Sequence, residues 1–383
     1  MATSFLSRKP DSGLGNLRAS PADPSRNIDW VLMSVQLLLT VIGCFIVFSA
    51  SRTRLEDPYA FTTRQVIFAI VSVVVMLVVM AFDYEWWKDR ARFLYGLTIV
   101  ILMLLILLGI VSGEDRISFD LGPFNVQPAE LAKFTTLLML AVYLAEERSD
   151  EVSYARFLGG LIIVGLPSVL IVAQPDLGSA SVIISVAMGV LLVAGAKARY
   201  IVMISLLSVA TVGAAFFGNL VNEYQATRIR VLINPSAASD DDLYQAENAM
   251  RAIGTGGTWG KGWLQGPLTN GRDIPVMWAD FPFAAVGEQF GLVGCAALLM
   301  LLVIALVRIW RIAHLSKDLL GTYICAGVFT MLLWQVFQNV AMTMRIMPVT
   351  GLPLPFISYG GSGLIVYFAM FGLVQSVHMR RMR

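Results

Sequence analysis

Met277-Trp278-Ala279-Asp280 runs without a break into the apolar segment 281–310, and it closes a polar stretch of 59 residues that opens at Asn222. A carboxylate where water meets lipid is costly to keep and is by default a functional candidate. The polar stretch is also far longer than the ~4–6 residues of an ordinary connection. On both sides of it the chain reads as membrane. Hydrophobic residues make up 57% of the sequence, charged residues 14%, and the mean hydropathy is +0.72. Soluble domains carry roughly 25% charge, so a soluble globular fold is excluded. The 383 residues accommodate about ten spans of ~20 residues.

Apolar windows predict helices at 29–51, 65–82, 93–112, 130–146, 158–174, 178–195, 199–221, 281–310, 319–343 and 361–378. The expected fold is an all-α integral membrane protein of about ten transmembrane helices, with the long loop 222–280 between the seventh and eighth. No strands, second domain or internal repeat are expected. Residues 1–27, rich in Ser, Pro, Arg and Asp, are expected to form a disordered tail, and 28–383 one polytopic domain. The first apolar run lacks a small-residue cleavage site and reads as a retained span.

Lysine and arginine set the orientation. Segments on the side of the N-terminal tail hold 17 of them against 10 opposite, and 5 of those 10 lie in the long loop. Both termini are therefore expected in the cytoplasm, with loops 113–129 and 222–280 outside. The basic residues are scattered, so no nucleic acid partner is implied. Cys44, Cys295 and Cys325 fall in apolar segments without metal-ligand spacing, and neither a disulfide framework nor a zinc site is supported. His314 and His378 stand at cytoplasmic helix ends, where an interfacial role is expected.

Four polar constellations converge on the outer face. In Gln127-Pro128-Ala129-Glu130-Leu131-Ala132-Lys133, Pro128 suits a first helical turn. Glu130 and Lys133 share a helix face. They either compensate one another's charge or act further, Lys133 serving an anionic substrate or fixing a nearby carboxylate. In Gln174-Pro175-Asp176-Leu177-Gly178, Asp176 precedes a helix, and capping of free N–H groups explains it. The long loop holds Arg228, Arg230, the triplet Asp240-Asp241-Asp242, Tyr244-Gln245 and the glycine-rich run Ala252–Gly262. Gly262 stands where a Walker loop needs Ser or Thr, so nucleotide binding is rejected in favour of a close-packed turn, with Lys261 a candidate anion contact. The fourth constellation spans Arg345 to Gly363, with three prolines and four glycines in apolar company. It cannot be regular helix, and irregular backbone at membrane depth must be packed on protein or a watery cavity. Segment 344–363 is therefore expected to re-enter the bundle.

These motifs together resemble the SEDS family, the RodA and FtsW proteins of bacteria, over nearly the whole chain after the tail. Gln174–Gly178, Tyr244-Gln245, Ala252–Gly262 and Pro348–Gly361 align with family motifs in order and spacing, while Asp29-Trp30 and Asp83-Tyr84 incline toward the RodA branch. The resemblance implies a multi-pass protein of the bacterial cytoplasmic membrane. Its implied activity is an inverting glycosyltransferase that polymerises lipid II into peptidoglycan strands at the outer face, for elongation and cell shape. It implies a class B penicillin-binding protein as transpeptidase partner, with other elongation-complex membrane proteins. Asp280 matches the family's essential acid, and Glu130 and Lys133 its pair in the fourth span. The sequence departs where the family reads Pro-Glu-x-His-Thr-Asp: here it is Pro275-Val276-Met277-Trp278-Ala279-Asp280. Ile117 replaces a tryptophan, Ala129 a serine and Arg345 a glycine.

Transfer from an α-linked pyrophosphate donor to give a β link requires inversion in a single displacement. The pyrophosphate leaves as an anion, so one carboxylate acting as general base suffices, worth about 10²–10⁴ in rate. Charge on the leaving group calls for cations or a divalent metal. Asp280 is the expected base or metal ligand, with Glu130 and Lys133 supporting it. Arg64, Arg116, Lys261, Arg345, Tyr244, Gln245 and Ser358 are candidate substrate contacts, and Mg²⁺ or Mn²⁺ the candidate cofactor. The alternatives are a flippase for lipid-linked precursors and an inactive scaffold of the wall-synthesis complex.

Overall fold

Short polar side chains start five of the helices. Asp29 accepts from the Leu32 amide at 3.0 Å, Asp83 from Glu85 at 3.1 Å, Ser153 from Arg156 at 3.3 Å, Asp176 from Ser179 at 2.9 Å and Asp318 from Gly321 at 2.8 Å. Each satisfies a first-turn N–H that has no helical partner. Pro128 and Pro282 open two more from the first turn, where a missing N–H costs nothing.

The structure is a computed structural model and describes residues 27–54, 57–113, 116–120, 125–146, 151–217, 240–271 and 273–382. Its elements are α1 (Trp30–Ser51), α2 (Ala60–Ala81), α3 (Tyr84–Ser112), β1 (Phe119–Asp120), β2 (Asn125–Val126), α4 (Pro128–Ala145), α5 (Tyr154–Val172), α6 (Leu177–Val193), α7 (Ala198–Phe217), α8 (Asp240–Gly256), α9 (Pro267–Asn270), α10 (Pro282–His314), α11 (Leu319–Thr343) and α12 (Gly361–Met379). All ten predicted apolar runs fall on helices, the seventh as far as residue 217, since 218–221 lie outside the described residues. Eight of these helices (α1 to α5 and α10 to α12) are long and apolar enough to cross a membrane, while α6 and the apolar part of α7 are shorter.

The bundle is built around α4, which packs against α3, α5, α6, α11 and α12. α12, α4 and α11 bury most of their surface, whereas α3 buries least and presents its apolar side chains outward. At the end of the bundle that holds the N-terminus of α1, acid–base pairs tie neighbouring helices: Arg308–Asp29 at 2.5 Å, Arg380–Asp83 at 3.1 Å and Lys317–Glu85 at 3.2 Å. Asp29 is further locked to α12, since its backbone N–H and C=O both bond the Gln375 amide group.

Segment 344–360 contains no helix. Leu352, Leu354, Phe356, Ile357 and Ser358 within it are buried, so the irregular backbone packs on protein as expected. Two glycines make its close approach possible. A Cβ on Gly43 of α1 would lie 2.9 Å from Cα of Ile357, and one on Gly178 of α6 would lie 3.1 Å from the Thr350 carbonyl oxygen. Gly178 ends the Gln174–Gly178 motif, so two motifs far apart in sequence meet here.

Two expectations are corrected. The strand-free reading missed a two-residue antiparallel pair, Phe119 with Val126 and Asp120 with Asn125; so short a ladder leaves no periodicity in sequence. The long loop carries α8 and α9. Ala252–Gly256, read as turn, are the last residues of α8, because Ala246, Ala249 and Ala252 bury one helical face. Residues 1–26 of the tail, Arg228 and Arg230 lie outside the described residues, as do the side chains of Asp240, Asp241 and Asp242.

α10 is interrupted at Gly291 (φ 65°, ψ −160°). Such a break orphans backbone groups on each side, and the turn after α8 takes them up. The N–H groups of Lys261 and Gly262 donate to the carbonyls of Glu288 and Gln289 at 2.9 and 3.0 Å. In return the N–H groups of Leu292 and Val293 donate to the carbonyls of Gly257 and Thr258 at 2.9 and 3.1 Å. The turn after α8 is thereby joined to the spanning helix by four backbone bonds.

Candidate active site

Asp280 closes a tight turn. Its N–H and that of Ala279 both donate to the Val276 carbonyl, at 3.1 and 3.0 Å, and Val276 takes a left-handed φ of 52° to allow this. The turn is held from three sides. The Tyr359 N–H of the re-entrant segment donates to the Trp278 carbonyl at 2.9 Å. Phe61 of α2 stacks on the Trp278 ring and meets Tyr359 edge-on, both at 4.9 Å. The buried Asn339 of α11 donates its amide to the Asp280 carbonyl at 2.9 Å and to the Leu352 carbonyl at 2.8 Å. Asp280 itself is half-buried, with a route to solvent.

Glu130 and Lys133 lie in the bundle, 2% and 1% exposed, with Nζ 2.6 Å from Oε1. Glu130 Oε2 has no hydrogen-bond partner among the described residues. The pair faces the start of α12, where a Cβ on Gly363 would stand 3.6 Å from Oε2.

The cationic candidates divide. Arg64 is exposed, one helical turn beyond Phe61, on the side of α2 that reaches the Trp278 turn. Arg116 is exposed and lines a pocket of about 220 Å³ with Gln174 and Pro175. Lys261 stands 3.6 Å from the buried Glu288 carboxylate. Arg345 pairs with Glu247 of α8 at 3.2 Å, and its φ of 58° lies in the left-handed region. A glycine stands at this position in the family that the sequence resembles, and that backbone requirement accounts for it.

The uncharged candidates are spread more widely. The Tyr244 hydroxyl, half exposed, donates to Asp273 Oδ1 at 3.1 Å, and Gln245 beside it is half-buried. Ser358 is buried, and its hydroxyl accepts from the Leu354 N–H at 2.7 Å, closing the turn of the re-entrant segment. Asp176 caps α6 and also accepts from Gln127 at 2.9 Å, joining two of the motifs.

Sequence reasoning missed the groups that shape this region. α11 presents Gln335, Gln338 and Asn339 at i, i+3 and i+4, and all three donate to the re-entrant segment: Gln335 to the Pro353 carbonyl at 2.9 Å, Gln338 to Thr350 Oγ1 at 3.4 Å, Asn339 as above. Gln65 of α2, fully buried, brackets the same segment through the Ser358 carbonyl and the Gly360 N–H. Their signal was present as amides inside apolar runs. Arg54, 5.6 Å from the Trp278 ring, is a further cation beside the Asp280 turn.

The comparisons with known proteins agree with this fold. The peptidoglycan glycosyltransferase MrdB of Escherichia coli is 32% identical over 357 residues, covering 93% of this chain and 94% of its own. A chain from a peptidoglycan synthase complex, studied for its coordination of polymerization and crosslinking, superposes with a TM-score of 0.77 at 26% identity, over 93% of this chain and 99% of its own. The rod shape determining protein RodA of Thermus thermophilus superposes at 0.68, also at 26% identity, over 93% and 98%. The family model described as cell cycle protein, FtsW/RodA/SpoVE, matches residues 29–383, and the chain belongs to that family.

Proposed function

We propose that this protein is a peptidoglycan glycosyltransferase of the elongation type, polymerising lipid II at the outer face of the cytoplasmic membrane. The observation that carries the reading is the Asp280 turn: a half-buried acid with its backbone fixed by Asn339 and Tyr359 against the re-entrant segment. A general base needs such a fixed position within reach of the acceptor hydroxyl. Asp280 takes the proton from that hydroxyl as the oxygen attacks the anomeric carbon from the face opposite the pyrophosphate. Arg54, Arg64 and Arg116 are the cations assigned to the leaving group.

Among the described residues no cluster of three or more His, Cys, Asp or Glu side chains is placed to cage an ion. A divalent cation at this site would be held by the Asp280 carboxylate and would supply charge neutralisation at the leaving group. The helix ends bearing Arg308, Lys317 and Arg380 are assigned to the cytoplasm, which puts the Asp280 turn outside. A penicillin-binding transpeptidase is the assigned partner, on the strength of the likeness to a chain of a synthase complex.

The test is polymerisation of purified lipid II by the native protein and by Asp280→Ala, each with its transpeptidase. Polymer from the native protein alone supports the assignment. Equal polymer from both removes Asp280 from the mechanism. Translocated lipid without polymer moves the reading to a flippase, and neither product, from folded protein, to a scaffold.

A further inference from the structure

The exposed stripe of α10 defines a membrane depth. Leu292, Val293, Met300, Val303, Val307 and Trp310 all face outward at helical spacing. From Leu292 to Trp310 the helix rises about 27 Å at ~1.5 Å per residue, close to the ~30 Å hydrocarbon thickness of a bilayer. Trp310 stands at one limit, its ring tilted against that of His314 and followed by Arg311, the composition of an interfacial belt. At the other limit lies the Gly291 break, and the turn bonded across it carries Trp259, 79% exposed, beside Leu292, 67% exposed.

We infer that the Gly257–Gly262 turn is a membrane-interface anchor, with Trp259 seated in the lipid headgroup region at the level of Leu292. Trp259 and Leu292 extend the exposed apolar stripe of α10 onto a rigid turn, and a contiguous patch of this kind marks an interaction site. Continuity with the lipid-facing stripe of α10 makes that site the bilayer interface, where tryptophan is favoured because its ring is apolar and its N–H can bond. A second contact stands at the same edge of the loop. Trp263 packs edge-on against Phe45 of α1, at 6.0 Å, and Phe45 is itself exposed on a spanning helix. The four backbone bonds to α10 stop the turn from sliding, so the anchor sets the height of the loop over the membrane. This inference rests on the membrane reading alone and is independent of the proposed chemistry.

The experiment places an environment-sensitive fluorophore at residue 259 (Trp259→Cys) in the full chain reconstituted into phospholipid vesicles. Arg251→Cys, on the exposed face of α8, is the water-facing reference, and the unsubstituted chain corrects for reaction at Cys44, Cys295 and Cys325. The expected result is blue-shifted emission at 259, quenched by lipids with a nitroxide near the glycerol end of the acyl chain and protected from aqueous iodide, with the opposite pattern at 251. Iodide-accessible, water-like emission at 259 would overturn the anchor. So would insensitivity to lipid nitroxides with shielding gained only on adding a partner protein, which would make the turn a protein interface. A second arm keeps the native fold in view: Trp259→Phe should preserve the thermal midpoint in vesicles, and Trp259→Asp should lower it there more than in detergent.

Discussion

Asn339 holds two distant carbonyls with one side-chain amide, that of Asp280 at 2.9 Å and that of Leu352 at 2.8 Å. It is fully buried, so no water can replace it. The acid turn and the re-entrant segment are thus registered against each other through α11. In Asn339→Leu both carbonyls lose their donor, at about 1–3 kcal/mol for each buried group left unpaired. A displacement of ~1 Å in a catalytic group can cost about 10²-fold in rate. The expected outcome is a fall in kcat of roughly that size with KM little changed, against a modest drop in thermal midpoint, measured in the lipid II polymerisation assay and by calorimetry. Asn339→Gln should recover little, since its longer arm cannot meet both carbonyls.

The Glu130–Lys133 pair can be tested between the two readings that its sequence left open. Both side chains are buried, and removing one partner of a buried pair costs about 3–5 kcal/mol because the other is left uncompensated. Glu130→Gln and Lys133→Met are each expected to destabilise by that order. Replacing both with apolar residues of similar volume is expected to restore the thermal midpoint. If the pair only compensates charge, the double variant regains polymerisation along with stability. If Lys133 serves substrate or Asp280, it stays inactive while folded. Thermal midpoint and polymer yield, read on the same preparations, separate the cases.

The membrane spans were legible because lipid imposes a long apolar run on each of them, and the ten predicted windows all landed on helices. The pairing of Glu130 with Lys133, read from their spacing of three, was legible too, with Nζ 2.6 Å from Oε1. What escaped depends on contacts between segments far apart in sequence. Nothing local in Phe281–Trp310 says that Gly291 breaks the helix, since the break is stabilised only when Gly257, Thr258, Lys261 and Gly262 bond across it. Asn339 reads as one more polar residue in an apolar helix until Asp280 and Leu352 are brought to it. α8 was readable in principle, with alanines at 246, 249 and 252 on one face, but its acidic start and glycine-rich end masked the helical spacing.

Glu288 is the fixed point of the long loop. Fully buried on α10, its carboxylate accepts from the Leu268 N–H at 3.0 Å, the Thr269 N–H at 2.7 Å and the Thr269 hydroxyl at 2.6 Å. Hydrogen bonds to a charged group contribute about 1.5–3 kcal/mol each. Glu288→Ala is therefore expected to free the segment 257–271 and lower the thermal midpoint, whereas Glu288→Gln, which keeps one acceptor oxygen, should lose less. Hydrogen exchange over 257–271 provides the check. Protection unchanged in Glu288→Ala would show that the backbone bonds at Gly291 hold the loop unaided.

Arg345 separates a structural from a substrate role. Its left-handed backbone costs a non-glycine residue roughly 1–2 kcal/mol, while its ion pair with the more exposed Glu247 is worth only about 0–1 kcal/mol. Arg345→Gly relieves the strain, gives up the pair and adds freedom to the unfolded chain at about 0.4–1 kcal/mol. Stability is therefore expected to stay close to that of the native protein. What should change is local. If the guanidinium serves to hold α8, amides of 240–256 exchange faster and KM for lipid II is unaltered. If it binds the pyrophosphate, KM rises while exchange over α8 is unaltered, and Glu247→Gln, which breaks the pair but keeps the cation, leaves KM as it was or lowers it. The two variants measured side by side assign the residue, because only a substrate contact makes them move KM differently.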